Sequence, residues 1–188
     1  SLELRSLDEI IERATGQAKL NWSHIRLPHS HLQPILVALS RRAFRSADFR
    51  GSTQLFECQM IAQELLLKSC ILTWQSLTLL SLKCTGLLRS QFELLCSGGS
   101  SNNNDGPGDS GKFSDSRYNI DGSRLFGPKA KLPELQSLDV SVNSIAYKSE
   151  KEFMEQLERL RQVVCPKLKR LDARGNHLQF VRKKSSLG

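Results

Sequence analysis

Aromatic side chains are scarce in this chain: two Trp, two Tyr and eight Phe among 188 residues. They are not interleaved with basic residues, so the pattern of a base-stacking platform is missing. No apolar run approaches the ~18 residues that suggest a membrane span. The N-terminus, SLELRSLDEI, lacks the apolar core of a secretory signal. The chain opens without Met and is expected to be a segment of a longer protein. Its five cysteines, at 58, 70, 84, 96 and 165, are odd in number and show no C-x-x-C spacing. That argues against a disulfide framework or a zinc ribbon, and for reduced, partly buried thiols in an intracellular protein, cytoplasmic or nuclear.

Catalytic motifs are equally thin. GPGDSGKF, residues 106–113, spaces Gly106, Gly111 and Lys112 like a phosphate-binding loop. Phe113 stands where a magnesium-binding hydroxyl belongs, however, and neither a strand before it nor a helix after it is expected. His29 and His31 form a pair in an expected loop, but no third metal ligand is near in sequence. His24, His177 and the cysteines show no nucleophile and base spacing. The expectation is a non-catalytic protein with no cofactor and no metal.

What is present is an internal repeat. LPELQSLDVSVNSI, from Leu135, and CPKLKRLDARGNHL, ending at Leu178, superpose at a constant offset of 33 residues. Leu135, Leu138, Val140, Asn143 and Ile145 then fall on Leu168, Leu171, Ala173, Asn176 and Leu178. Three weaker copies precede them. Residues 17–27 place Leu20, Trp22, Ile25 and Leu27 at the inward sites, and residues 44–55 place Phe44, Ala47, Phe49 and Ser52, with Leu55 one place late. Residues 77–87 place Leu77, Leu80, Leu82 and Leu87, with Thr85 where Asn would stand. The central inward residues are 27 apart from Trp22 to Phe49, 33 from Phe49 to Leu82, and 33 from Val140 to Ala173.

Only the 58 residues from Leu82 to Val140 break the rhythm. The stretch 97–128 explains it. It holds 7 of the 12 glycines and few large apolar residues, which predicts a disordered insertion. Removing roughly 30 residues restores one repeat length.

Helices are expected between strands: Leu32–Leu39, with Pro34 in its first turn, Leu55–Leu72, and a run after Ser149. There Ser149 and Glu152 read as a capping box, Phe153, Leu157, Leu160, Val163 and Val164 share one face, and Pro166 ends the run. Residues 1–16 also read as a helix or cap, and 181–188 as a basic tail. The domain layout is therefore one unit: 1–16, repeats 1–3 over 17–96, the insertion 97–128, repeats 4–5 over 129–180, and the tail.

The template L-x-x-L-x-L-x-x-N-x-L, carried by Asn143, Asn176 and the Leu positions around them, resembles the leucine-rich repeat. Units of 27 to 33 residues with a full helix are similar to the ribonuclease-inhibitor-like subclass. The resemblance implies an α/β solenoid of about five repeats, with short parallel strands on a concave face and helices on the convex face. It also implies protein binding as the activity, in the manner of a scaffold.

On such a fold the outward strand positions are the expected contact surface. One row holds Asn21, Asp48, Ser81, Asp139 and Asp172; the next holds Ser23, Arg50, Lys83, Ser141 and Arg174; the row before holds Lys19, Ser46, Leu79, Ser137 and Arg170. The candidate partner-binding residues are Asp48, Arg50, Lys83, Asp139, Arg170, Asp172 and Arg174, with the arginines as anchors. A mixed stripe of this kind is also what strand residues paired with one another would give. Formal net charge is +8, with 9 basic and 4 acidic side chains in 17–96 and 13 and 7 in 129–188. This balance suits a protein partner with an acidic or mixed-charge surface. The alternative is a nucleic-acid-associated subunit using the diffuse basic surface and tail.

Overall fold

The computed structural model describes residues 15–16, 18–99 and 131–178. Residues 1–14 of the helix or cap expected over 1–16, the insertion beyond residue 99 and the tail 181–188 lie outside the described residues, as does the phosphate-loop-like stretch 106–113. The described chain is a mixed α/β structure with a parallel sheet. Six strands pair in the order β1 (Thr15–Gly16), β2 (Lys19–Asn21), β3 (Ser46–Asp48), β4 (Leu79–Ser81), β5 (Ser137–Asp139) and β7 (Arg170–Asp172). A second, two-stranded sheet joins β6 (Ala146–Tyr147) to β8 (His177–Leu178). β1 pairs antiparallel to β2, so Thr15 and Gly16, expected to end a helix, form an edge strand instead.

From β2 onward the register is regular. Leu20, Ala47, Leu80, Leu138 and Leu171 are mutual neighbours across four parallel pairings. The first four are at most 1% exposed. Trp22, Phe49, Leu82 and Val140 form a second buried column two residues on. Alternation of period two therefore places one side of each strand in the core and turns the other away from it, where Ser81 and Ser141 are nonetheless buried.

Helices cover the buried side. α1 (His29–Ser40) turns Leu32, Ile35, Leu36 and Leu39 inward, at the spacing of one helical face. It begins earlier than expected. His29 and His31 therefore lie in its first turn and not in a loop, and Pro34 lies beyond that turn, where its ring removes the bond to the Ser30 carbonyl. The helix expected over 55–72 is divided: α2 (Gln54–Glu57) ends at extended Cys58, and Ile61–Cys70 is wound as a π-helix. α3 spans Arg89–Cys96. α4 (Glu150–Arg159) continues into a π turn, Leu160–Val164, and buries Phe153, Leu160 and Val164 as its apolar face predicts. Ser149 is the N-cap residue, but its side chain caps no backbone N–H, so the expected capping box is not formed.

Polar side chains tie neighbouring strands together where the chain leaves the sheet. The Asn143 amide donates to the carbonyls of Leu82 (2.7 Å) and Val140 (2.9 Å), and its oxygen accepts from the N–H groups of Thr85 (2.9 Å) and Leu87 (3.1 Å). Asn176 donates to Val140 and Ala173, both at 2.9 Å, and accepts from the Ile145 N–H at 3.1 Å. Ser52 makes one such bond, to the Trp22 carbonyl at 2.7 Å. Buried backbone groups that no helix or strand satisfies are thereby paired.

Candidate protein-docking face

The open side of the sheet is built from the three outward rows that the register aligns. Lys19, Ser46, Leu79, Ser137 and Arg170 stand side by side, as do Asn21, Asp48, Ser81, Asp139 and Asp172. Backbone bonds carry the same alignment past the strands. The N–H groups of Trp22, Phe49, Leu82 and Val140 donate to Asp48, Ser81, Asp139 and Asp172. Those of His24, Gly51, Cys84 and Val142 donate to Arg50, Lys83, Ser141 and Arg174.

These second donors, together with Gly175, share a left-handed backbone, with φ between 54° and 69°. Gly51 and Gly175 adopt it without strain. At Gly51 a Cβ would also run into the His24 ring. Val142, a β-branched residue in the same conformation, is a steric outlier.

The acidic row has a local structural task. Asp48 accepts from the Arg50 N–H at 3.0 Å, Asp139 from the Ser141 N–H at 2.9 Å, and Asp172 from the Arg174 N–H at 3.1 Å. Asn21 does the same for the Ser23 N–H at 3.1 Å. Each side chain thus satisfies a backbone donor two residues on, in an Asx turn. Ser81 does not, and its buried hydroxyl has no partner among the described residues.

The same carboxylates bind the following arginines. Arg50 reaches Asp48 at 3.1 Å, and Arg174 reaches Asp172 at 2.6 Å. The side-chain and backbone hydrogen bonds from Arg174 hold the Asp172 carboxyl down at about 2. The candidate residues are therefore brought onto one surface, but Asp48 with Arg50 and Asp172 with Arg174 are largely spent on each other. Lys83 and Arg170 have no ion pair among the described residues.

Two open depressions lie on this face. One, of about 570 Å³, runs along β5 and β7 and is bounded by Asp139, Arg170, Asp172 and Arg174. The other, of about 460 Å³, lies at the strand entrances among Thr78, Leu79, Gln136, Ser137, Lys169 and Arg170. Sequence reasoning missed this entrance row. Its signal was the same register extended one residue upstream, to Arg45, Thr78, Gln136 and Lys169. Leu79, placed by the sequence in an outward row but not among the candidate partner-binding residues, is 43% exposed at a position that is otherwise polar.

Elsewhere, reactive groups are muted. Burial pushes the Cys70 and Cys165 thiols up to about 12 and raises that of Cys96 as well. Tyr147 lies under the Arg89 guanidinium, 4.4 Å from ring centre to cation, and donates to Glu93 at 3.2 Å. Burial, then Glu93, raises its phenol above the usual range. Among the described residues no three His, Cys, Asp or Glu side chains converge as a metal site. No helix among them is long and apolar enough to cross a membrane. Compared with protein-family models, with curated proteins and with solved structures, the chain matches none.

Proposed function

We propose that the chain is a leucine-rich-repeat solenoid of about five repeats, similar to the ribonuclease-inhibitor-like subclass. In this reading it binds another protein, without catalysis, through a concave strand face, as part of an intracellular scaffold. The observation that supports it best is that residues aligned by sequence offset are neighbours in space. Leu20, Ala47, Leu80, Leu138 and Leu171, spaced 27, 33, 58 and 33 apart, sit side by side in the sheet. The asparagine bonds between successive units add to it.

The inner strands β2 to β5 are each held on both sides, β7 forms one edge, and the outward side chains carry no structural duty beyond the Asx turns and the ion pairs described above. Polar, open surfaces of this kind suit docking more than chemistry. The nucleic-acid reading has weaker support, because all eight aromatic side chains among the described residues are buried and none is available to stack on a base.

Photocrosslinking tests the proposal. A benzoylphenylalanine at Ser46 or Ser137, on the open face, should trap a protein partner in cells; the same group at Met154 or Gln162, on the helix side, should not. Crosslinks confined to the helix side would overturn it.

A further inference from the structure

We propose that the strand-entrance end of the open face binds an acidic, extended segment of another protein, with one apolar side chain of that segment seated on Leu79. The inference rests on the docking reading above and narrows it to a partner chemistry and to a few residues.

The charge of this region is one-sided. Two adjacent rows cross the sheet here. One is Ala18, Arg45, Thr78, Gln136 and Lys169; the other is Lys19, Ser46, Leu79, Ser137 and Arg170. They hold four cations and no carboxylate. The acids of the open face stand further along the strands, where Asp48 and Asp172 are occupied by Arg50 and Arg174, and Asp139 accepts from the N–H and hydroxyl of Ser141. Lys169 and Arg170 make no ion pair among the described residues, and both border the same depression as Leu79. A ligand that lies there meets positive charge without displacing an internal partner, so little of the attraction is lost to broken pairs.

The backbone leaves side chains as the means of recognition. At each entrance one carbonyl takes two donors: Ala18 from Arg45 and Ser46, Arg45 from Thr78 and Leu79, Thr78 from Gln136 and Ser137, Gln136 from Lys169 and Arg170. Every N–H of these pairs is used. An anion cannot be cradled by free amides at these entrances. Guanidinium and ammonium groups remain, and they select carboxylates.

Leu79 supplies the apolar contact. It is 43% exposed between Ser46 and Ser137, on the row that ends in Arg170. Neighbouring strands lie about 4.8 Å apart, which puts Leu79 and Arg170, two strands apart, about 10 Å from each other. An extended segment advances about 3.3 Å per residue and shows alternate side chains to one face. The matching ligand therefore carries an acidic residue two or four positions from an apolar one. A polyanion without an apolar group, such as a nucleic-acid backbone, would leave Leu79 unused.

Selection from a random twelve-residue peptide library displayed on phage, against the full chain, tests this. The expected result is enrichment of Asp or Glu at two or four positions from Leu, Ile, Phe or Val. In fluorescence anisotropy the selected peptides should bind the Lys169→Glu/Arg170→Glu variant about a hundredfold more weakly, because like charges then face each other. Leu79→Ser should weaken binding about tenfold, and Lys151→Glu on the helix side should leave it unchanged. Circular dichroism checks that each variant folds. Should the double reversal not fold, Lys169→Gln/Arg170→Gln serves, with a smaller loss expected.

Peptides lacking acidic residues, or peptides indifferent to both Lys169/Arg170 and Leu79, would overturn the proposal. So would the absence of any binder, or a twelve-nucleotide oligonucleotide that binds the chain more tightly than the peptides. Crosslinking from Ser46 and Ser137 separates the two levels. Crosslinks to a protein with no acidic peptide preference remove this inference alone, whereas no crosslink from the open face removes the docking reading with it.

Discussion

At the β2–β3 end of the sheet the turns leaving the strands are backed by aromatic packing; at the β4–β7 end they are held by two asparagines. Phe44 meets Trp74 edge-on at 4.8 Å, and Phe49 stacks on the same ring at 6.3 Å. Trp22, Phe49 and Trp74 are at most 1% exposed. At the position that Asn143 and Asn176 fill in the later strands, this end has Ile25 and Ser52, and only Ser52 makes a side-chain bond to a neighbouring strand. Yet the pairing and the register are the same at both ends. Both ends bury aromatic rings, Phe92, Tyr147 and Phe153 at the later one, so the contrast lies in the turns: strand geometry tolerates turns backed by non-directional ring packing and turns held by directional amide bonds. They should fail differently when cut.

The sharpest break is Asn143→Ala. It leaves the N–H groups of Thr85 and Leu87 and the carbonyls of Leu82 and Val140 buried without this partner, and should lower unfolding free energy by about 5 kcal/mol. Ser52→Ala, at the equivalent place, removes one bond and should cost about 1 kcal/mol. Urea denaturation of both variants measures the contrast, and equal losses would erase it.

Phe49→Ala tests the aromatic end. A loss of about 4 kcal/mol is expected from the cavity it leaves, whereas Phe49→Leu, which keeps much of the volume, should cost well under half of that. The near-ultraviolet circular dichroism of Trp74 should weaken in the first and persist in the second. A Leu variant as unstable as the Ala variant would show that ring stacking, and not volume, holds this end.

Val142→Gly works in the other direction. Relieving a β-branched residue of a left-handed backbone should raise stability by about 1 kcal/mol, seen as a higher urea midpoint at unchanged slope. Gly175→Ala should do the reverse, since its Cβ would lie 3.3 Å from the Val142 backbone.

The smallest effect concerns pH. The Asp172 carboxyl is held at about 2, below its ordinary 3.8, by Arg174. A group with a lowered folded value stabilises above its unfolded value and loses that contribution as pH falls. The Asp172–Arg174 link should therefore be intact at pH 5 and weaken between about pH 4 and pH 2. Carbon-detected NMR titration should place the Asp172 midpoint near the bottom of this window, and Arg174→Ala should return it towards 3.8. The pair is exposed, so global stability should hardly register the change.

Much of the sheet was legible from residue spacing, because a buried column repeats chemistry at each pass: Leu20, Leu80, Leu138 and Leu171 are alike, and Ala47 could be placed between them by offset alone. The open-face rows followed from the same arithmetic. What could not be read was conformation that side-chain identity does not demand. His24, Cys84 and Val142 adopt the left-handed turn because their N–H groups must reach the next strand, not because their residue types favour it. The π winding of Ile61–Cys70 leaves no distinct mark on an apolar pattern of helical period. The entrance row was overlooked because Arg45, Thr78, Gln136 and Lys169 share no residue type; only the pairing unites them.

Gly98 and Lys131 illustrate a different use of the same architecture. A Cβ on Gly98 would touch the Lys131 side chain at 3.2 Å, so the two ends of the long stretch between them meet at one point. On the far side of that point β4 and β5 pair without any shift in register. The junction behaves like a socket: foreign sequence with closely spaced ends, a reporter domain or a protease site, could be spliced in there. A chain cut at this junction would yield two fragments, one ending after α3 and one opening at Leu132, whose shared β4–β5 seam is the natural means of reassembling them.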